Sequence, residues 1–336
     1  MNKGFFKWTS SLVLLLVASL LLSSCSIQNT ANVAKGKKRV KIGIMLSSVG
    51  LGDQSFSDAA FNGLVKARDD KGVFFEYREP SKNMTFEQGF TELVKDDCDL
   101  VVGLGFSVKD SIEKVAKKYP KQNFLLIDET SDLPNITSLT FKEEEGSFLV
   151  GAVAGLITKS NVVGFVGGMD VPLIRKFEKG FVEGVKATNP KAKLVEDYAG
   201  DFGKADLGAQ IASKMYEQGN ADTIYAAAGF TGVGVLQEAE KEHKYAIGVD
   251  SDQFFIAENA VVTSMLKNVD VAIDSAVNTY IEKHGKFPQK HMVFGLKDNG
   301  VDIAPIRVIS LTPEQEQILE DLKEKLSNGE ITIPVE

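Results

Sequence analysis

"VKIGIMLSSVGLGDQSFSDAAFNGL" (residues 40–64) passes from one periodicity to another. Residues 40–46 are an apolar, partly β-branched run of the length of a buried strand. From Ser57 onward, in "SDAAFNGLVKARDDKG", apolar residues recur at helical spacing, with Ala59, Ala60 and Leu64 set to face a core. Between them lies a loop of Gly, Asp, Gln and Ser, the residues that make turns and start helices, with Ser55 or Ser57 able to cap the helix. Phe56 is the exception in that loop. It reads either as a staple packing onto the next helical turn or as a surface that a ligand touches.

The same strand–loop–helix unit repeats along the chain. Apolar runs "VFFEYRE", "LVVGLG", "NFLLID" and "SLTF" alternate with the helical patterns "TFEQGFTELVKDD" and "SVKDSIEKVAKKY". Phe86, Phe90, Leu93 and Val94 fall on one helical face. After a helix "EEEGSFLVGAVAGLIT" (143–158) a second series begins, with strands "VVGFVGG", "AKLVEDYAG", "TIYAAAG" and "YAIGVDS". Its helices are "IRKFEKGFVEGVKA", "KADLGAQIASKMYEQG" and "TGVGVLQEAEKEH". Alternation of this kind specifies parallel sheets covered by helices on both faces. The predicted fold class is therefore α/β: two doubly wound parallel-sheet lobes with a ligand cleft between them. Residues 39–145 form the N-terminal lobe, 146–267 the C-terminal lobe, and 268–336 a crossover and C-terminal segment that partly returns to the first lobe.

In open α/β sheets ligands bind outside the carboxyl ends of the strands, and the residues found there are alike in the two halves. "GDQSFSD" follows the first strand, Asp128 follows "NFLLI", "DFGKAD" follows "VEDYAG", "FTGVG" follows "TIYAAAG", and Asp250 with "SDQ" follows "YAIGV". Carboxylates accept hydrogen bonds from vicinal hydroxyls or base N–H groups, Phe offers a face to a planar ligand, and Gly permits close backbone approach. Each such residue alone is more readily a cap or a turn former than a ligand contact. Their coincidence at strand ends describes a site for a flat, polar, hydroxylated molecule.

The N-terminus carries Lys3 and Lys7 before the apolar run "LVLLLVASLLL" (12–22), which is too short to span a bilayer, for which roughly 20 residues are needed. It has the form of a secretory signal. "LSSC" (22–25) places small residues before Cys25, as in a bacterial lipobox, so residues 1–25 are expected to be a lipoprotein signal with Cys25 lipidated. An ordinary signal with a chance cysteine is the alternative. Residues 26–38 are polar, as a flexible tether should be. The mature protein is thus expected to be held at the extracytoplasmic face of the cell membrane by lipid. Cys98 is the one other cysteine, so no disulfide forms within the mature chain. The formal net charge of −8 argues against nucleic acid as a partner.

Catalytic sets are not evident. His243, His284 and His291 sit in polar segments without metal-ligand spacing, and no G-x-S-x-G elbow or Walker A loop is present. "GFVGG" (164–168) lacks the full dinucleotide fingerprint. The expectation is a binding protein, not an enzyme, with no cofactor and no metal.

"GDQSFSDAAFNGL", "IRKFEKGFVEGVKATNP", "AAAGFTGVGVLQEA" and "YAIGVDSDQ", in that order, resemble the basic membrane protein family, the purine-nucleoside-receptor lipoproteins of ABC importers. The likeness runs over nearly the whole mature chain. It implies a fold like that of type I periplasmic binding proteins, and a purine nucleoside (guanosine, adenosine or inosine) captured between the lobes and handed to an ABC permease. It also implies a base sandwiched by Phe56 and Phe202, with Asp53 and Asp128 near the base and Gly229 after a strand of the second lobe. Asp250 and Lys267 would then hold the ribose. Ser57 stands where the family often has Asn, and Phe230 where it usually has a second glycine. A ligand-sensing regulatory or signalling lipoprotein of the same fold, without a transport role, is the rival reading.

Overall fold

The computed structural model describes residues 39–334; the expected signal, Cys25 and the tether lie outside the described residues. Alternation of strand and helix holds through most of the chain. The first half runs β1 (Lys41–Met45), α1 (Phe56–Lys71), β2 (Phe74–Arg78), α2 (Phe86–Lys95), β3 (Leu100–Leu104), α3 (Lys109–Lys118), β4 (Asn123–Ile127) and β5 (Ile136–Phe141). The second half runs α4 (Glu143–Ile157), β6 (Val162–Gly167), α5 (Pro172–Thr188), β7 (Lys193–Tyr198), α6 (Ala205–Glu217), β8 (Thr223–Ala227), α7 (Phe230–Lys241), β9 (Tyr245–Asp250) and β10 (Val261–Lys267). Then come α8 (Val269–Glu282), β11 (His291–Phe294), β12 (Val301–Ile303) and α9 (Pro313–Ser327).

Two six-stranded sheets result, in the orders β11-β5-β4-β3-β1-β2 and β12-β10-β9-β8-β6-β7. Every pairing in the first is parallel, and in the second only β12 runs antiparallel to β10. The central strands are buried along their length: β3 and β8 have no exposed residue. That is why they read as unbroken apolar runs and not as alternating ones.

The chain changes sheet between β5 and α4, between β10 and α8, and between β11 and β12. These crossings are tied to one another. The backbone N–H of Lys142 donates to the carbonyl of Phe294 (2.9 Å), and that of Asn268 to the carbonyl of Gly300 (2.8 Å). After β10 the chain first returns to the opening sheet. There α8 is pinned to α1 by Asp274, which pairs with Lys66 (3.3 Å) and Lys71. The Tyr280 hydroxyl donates to the Asp99 carbonyl (2.7 Å) and accepts from Asn123 (3.0 Å). Three mutually braced crossings thus join the two lobes.

Candidate functional site

The carboxyl ends of both sheets open onto one cavity of about 190 Å³, room for one small molecule. From the first lobe it is lined by Ser47, Ser48, Val49, Asp53 and Phe56 after β1, by Gly105, Phe106 and Ser107 after β3, and by Asp128 after β4. From the second lobe come Met169 after β6, Phe177 on α5, Phe202 after β7, Gly229 and Phe230 after β8, Asp250 ending β9 and Lys267 ending β10. Of the residues singled out in the sequence, Asp53, Phe56, Asp128, Phe202, Gly229, Asp250 and Lys267 therefore meet at one place. Ser57 does not line it. That side chain is fully buried in the first turn of α1 and reaches only the Ser47 hydroxyl, at 2.8 Å.

Glycines make room for the rings. A methyl group at Gly168 would lie 2.2 Å from Cε1 of Phe202, so only Gly fits beneath that ring. Gly105 also backs a ring, that of Phe56, but there it is the φ of +94° that calls for glycine, since a methyl group would sit at an ordinary 3.4 Å from Cε1. The Phe106 and Phe202 rings meet across the cleft with centroids 6.3 Å apart, edge to face.

A buried charge cluster floors the cavity. The Lys267 ammonium, 2% exposed, lies 2.6 Å from Asp128 Oδ2 and 3.1 Å from Glu143 Oε1. Around it stand the rings of Phe141 (5.0 Å), Phe56 (5.1 Å) and Phe177 (5.5 Å). Burial alone would push this amine down, but Asp128, Glu143 and Asp250 outweigh it and hold the ammonium above the ordinary lysine range. Burial pushes the Asp128 carboxyl up to about 6, with Lys267 opposing the rise. Asp250 is also pushed up by burial to about 6, opposed by Lys267 and by the Ser55 hydroxyl. Asp128 and Asp250 both take positive φ, 67° and 65°, a region that Asp enters more readily than most residues and that recurs at functional sites.

Asp128 Oδ1 is buried at the cavity with no hydrogen-bond partner. A buried, unpaired carboxylate oxygen is costly, and both oxygens of Glu143 are likewise without a hydrogen-bond partner. Glu143 is wholly buried, and its second oxygen lies 3.6 Å from Lys176 of α5. Sequence reasoning missed Glu143 because "EEE" at the start of α4 has the form of ordinary acidic charge at a helix N-terminus. The one available signal was its place ahead of a helix that is apolar on all sides.

Loop contacts bridge the lobes. The Ser55 hydroxyl donates to Asp250 Oδ2. Gln253 Nε2 and the Ser251 hydroxyl both donate to the Gln54 carbonyl, at 3.0 and 3.3 Å. Because Gln54 and Ser55 immediately precede Phe56, these bonds fix the ring's loop against the second lobe. Asp53 holds the loop from within. Its Oδ1 accepts from the N–H of Ser55 (3.0 Å) and of Asp58 (3.2 Å), and its Oδ2 from the N–H of Ser57 (2.7 Å).

Known proteins share this fold and much of this sequence. The family model described as ABC transporter substrate-binding protein PnrA-like matches residues 40–336. A protein named CD4+ T-cell-stimulating antigen, from Listeria innocua, is 36% identical, with 96% of this chain and 97% of the relative aligned. One named ABC transporter nucleoside-binding protein BmpA, from Lactococcus lactis subsp. cremoris, is 32% identical over 95% of this chain and 96% of its own. Among solved structures, an ABC transporter solute-binding protein from Aeropyrum pernix superposes with a TM-score of 0.79 at 27% identity. It covers 88% of this chain and 94% of its own.

Proposed function

The chain belongs to the PnrA-like family of ABC transporter substrate-binding proteins, and from that premise we propose that it captures a purine nucleoside between its lobes and delivers it to an ABC importer. The observation that carries this reading is that Phe56 and Phe202, one from each lobe, share a cavity with Asp128, Asp250 and Lys267. Two rings suit a flat base. Carboxylates and an ammonium suit a sugar diol and base N–H groups. The base stacks between Phe56 and Phe202, with the free Asp128 oxygen accepting from its edge. Asp250 takes a ribose hydroxyl. Lys267 donates to Asp128, pairs with Glu143 by charge alone, and has a donor left for the sugar. Gly229 lets the backbone close in, and Asp53 acts by shaping the loop that presents Phe56.

Capture follows from the hinge. With the lobes apart, the bonds of Ser55 to Asp250 and of Gln253 to Gln54 are open and the ligand enters; closure re-forms them around it. Among the described residues no helix is long and apolar enough to cross a membrane. Anchoring is proposed to come from a lipid on Cys25, and Cys25→Ser should then release the protein from the membrane fraction.

Calorimetry with guanosine, adenosine, inosine and cytidine tests the ligand assignment. Purine preference is expected; equal binding of all four, or none, overturns it. Adjacent genes for a permease and an ATPase would favour import over a regulatory role.

A further inference from the structure

The nucleoside reading leaves open how a cavity with fixed charges meets the two polarities of the purine edge. A 6-oxo purine offers an acceptor at position 6 and a donor at N1; a 6-amino purine offers the reverse. The ionised carboxylates of Asp53, Asp128 and Asp250 only accept, and Lys267 only donates. Among the lining residues Ser47, Ser48 and Ser107 carry hydroxyls, and of these Ser48 and Ser107 are exposed to water. Ser47 is part-buried, and its Oγ lies 2.8 Å from the Oγ of fully buried Ser57, where either atom can be the donor.

We infer that Ser47 and Ser57 form a reversible hydroxyl relay that lets the one cavity accept both 6-oxo and 6-amino purine nucleosides. The inference rests on the nucleoside reading and deepens it. When Ser47 donates to Ser57, its lone pairs face the cavity and accept from the ligand. When Ser57 donates to Ser47, the Ser47 hydrogen is free to donate to the ligand. The fully buried hydroxyl of Ser57 keeps Ser47 as its partner either way. Ser57 is held in register by its own N–H, which donates to Asp53 Oδ2 at 2.7 Å. It is also the next residue to Phe56, so the relay sits on the segment that carries the stacking ring. Ser57 is a positioning residue that acts through Ser47.

The test is calorimetric titration of adenosine and of inosine into the wild-type protein, Ser57→Ala, Ser47→Ala and the double variant. Wild type should bind the two nucleosides within about tenfold of each other. Ser57→Ala strands the Ser47 hydrogen only when Ser47 must accept. It should therefore weaken one nucleoside selectively and shift the affinity ratio by about fivefold or more. In the Ser47→Ala background, Ser57→Ala should leave the ratio unmoved, which a purely structural effect on the helix would not do. A wild-type preference above about a hundredfold overturns the relay. So does an unchanged ratio in Ser57→Ala, or a shift that persists without Ser47, and in each of these cases nucleoside binding stands. Binding of neither nucleoside by wild type sinks the nucleoside reading and the relay with it.

Discussion

Asp53 and Asp128 follow strands of the same sheet, line the same cavity and are 3% and 7% exposed, yet their carboxylates are occupied in opposite ways. Asp53 is satisfied by its own loop: Ser55, Ser57 and Asp58 all donate backbone N–H groups to it. Burial raises its pKa, and those donors pull it back. Asp128 gives one oxygen to Lys267, across the lobes, and leaves the other without a partner. A carboxylate completed locally holds a shape. One completed across the lobes, with an oxygen to spare, depends on what the other lobe brings. The difference lies in the partners, and nothing about the residue type announces it.

The severest way to break the comparison is to remove the cation on which the second kind of carboxylate depends. Lys267→Met leaves Asp128 buried without its cation and Glu143 with only Lys176, at 3.6 Å. The expected cost is about 3–5 kcal/mol of stability, read by urea denaturation. A loss below about 1 kcal/mol would mean that the cluster is not held as ions, and the contrast between the two aspartates would lose its basis.

Next in size is Asp128→Asn, which keeps the shape but removes the charged acceptor. Nucleoside affinity should drop by about 1.5–3 kcal/mol, the range for hydrogen bonds to charged groups, and unfolding should move less than binding. Equal effects on both would make Asp128 structural, like Asp53.

How far this was readable in sequence depends on the same distinction. The alternation of strands and helices was legible because parallel strands buried on both faces are written as continuous apolar runs. "LVVGL" and "TIYAA" became β3 and β8, buried throughout. Strand ends could be located, and with them Asp128, Asp250, Phe56 and Phe202 as a set. Their partners were not legible. Glu143 hides in a run of three glutamates, and Phe177 lies on the apolar face of α5, where it reads as core. That Ser57 turns inward to Ser47 depends on a rotamer, which no periodicity encodes. The pairing of β11 with β5, and the bracing of α8 on α1, are contacts between segments more than a hundred residues apart. Local pattern carries no information about them.

A smaller effect, with a definite sign, comes from acid. Burial sets both Asp128 and Asp250 at about 6. A ligand that donates to them binds the ionised forms, so affinity should fall as pH drops from 7 to 5, by about tenfold for each carboxylate engaged. In the empty protein the sign reverses. A carboxyl raised from 3.8 to about 6 contributes stability that is fully present below 3.8 and lost as pH rises through 6. Calorimetry and thermal melts at pH 5, 6 and 7 should therefore move in opposite directions. Tighter binding in acid would mean that a protonated carboxyl donates to the ligand.

The smallest effect is expected at Asp53 itself. Asp53→Ala removes the acceptor for three backbone N–H groups at the start of α1, which should cost about 1 kcal/mol of stability, as for a lost N-terminal cap. Of the three, only the part-buried Asp58 N–H can turn to solvent, because Ser55 and Ser57 are buried. Affinity should follow only through the looser Phe56 loop. It should weaken by no more than the stability change, and in equal proportion for adenosine and inosine. A selective loss of one nucleoside, with the melting curve unmoved, would make Asp53 a ligand contact after all and would erase its contrast with Asp128.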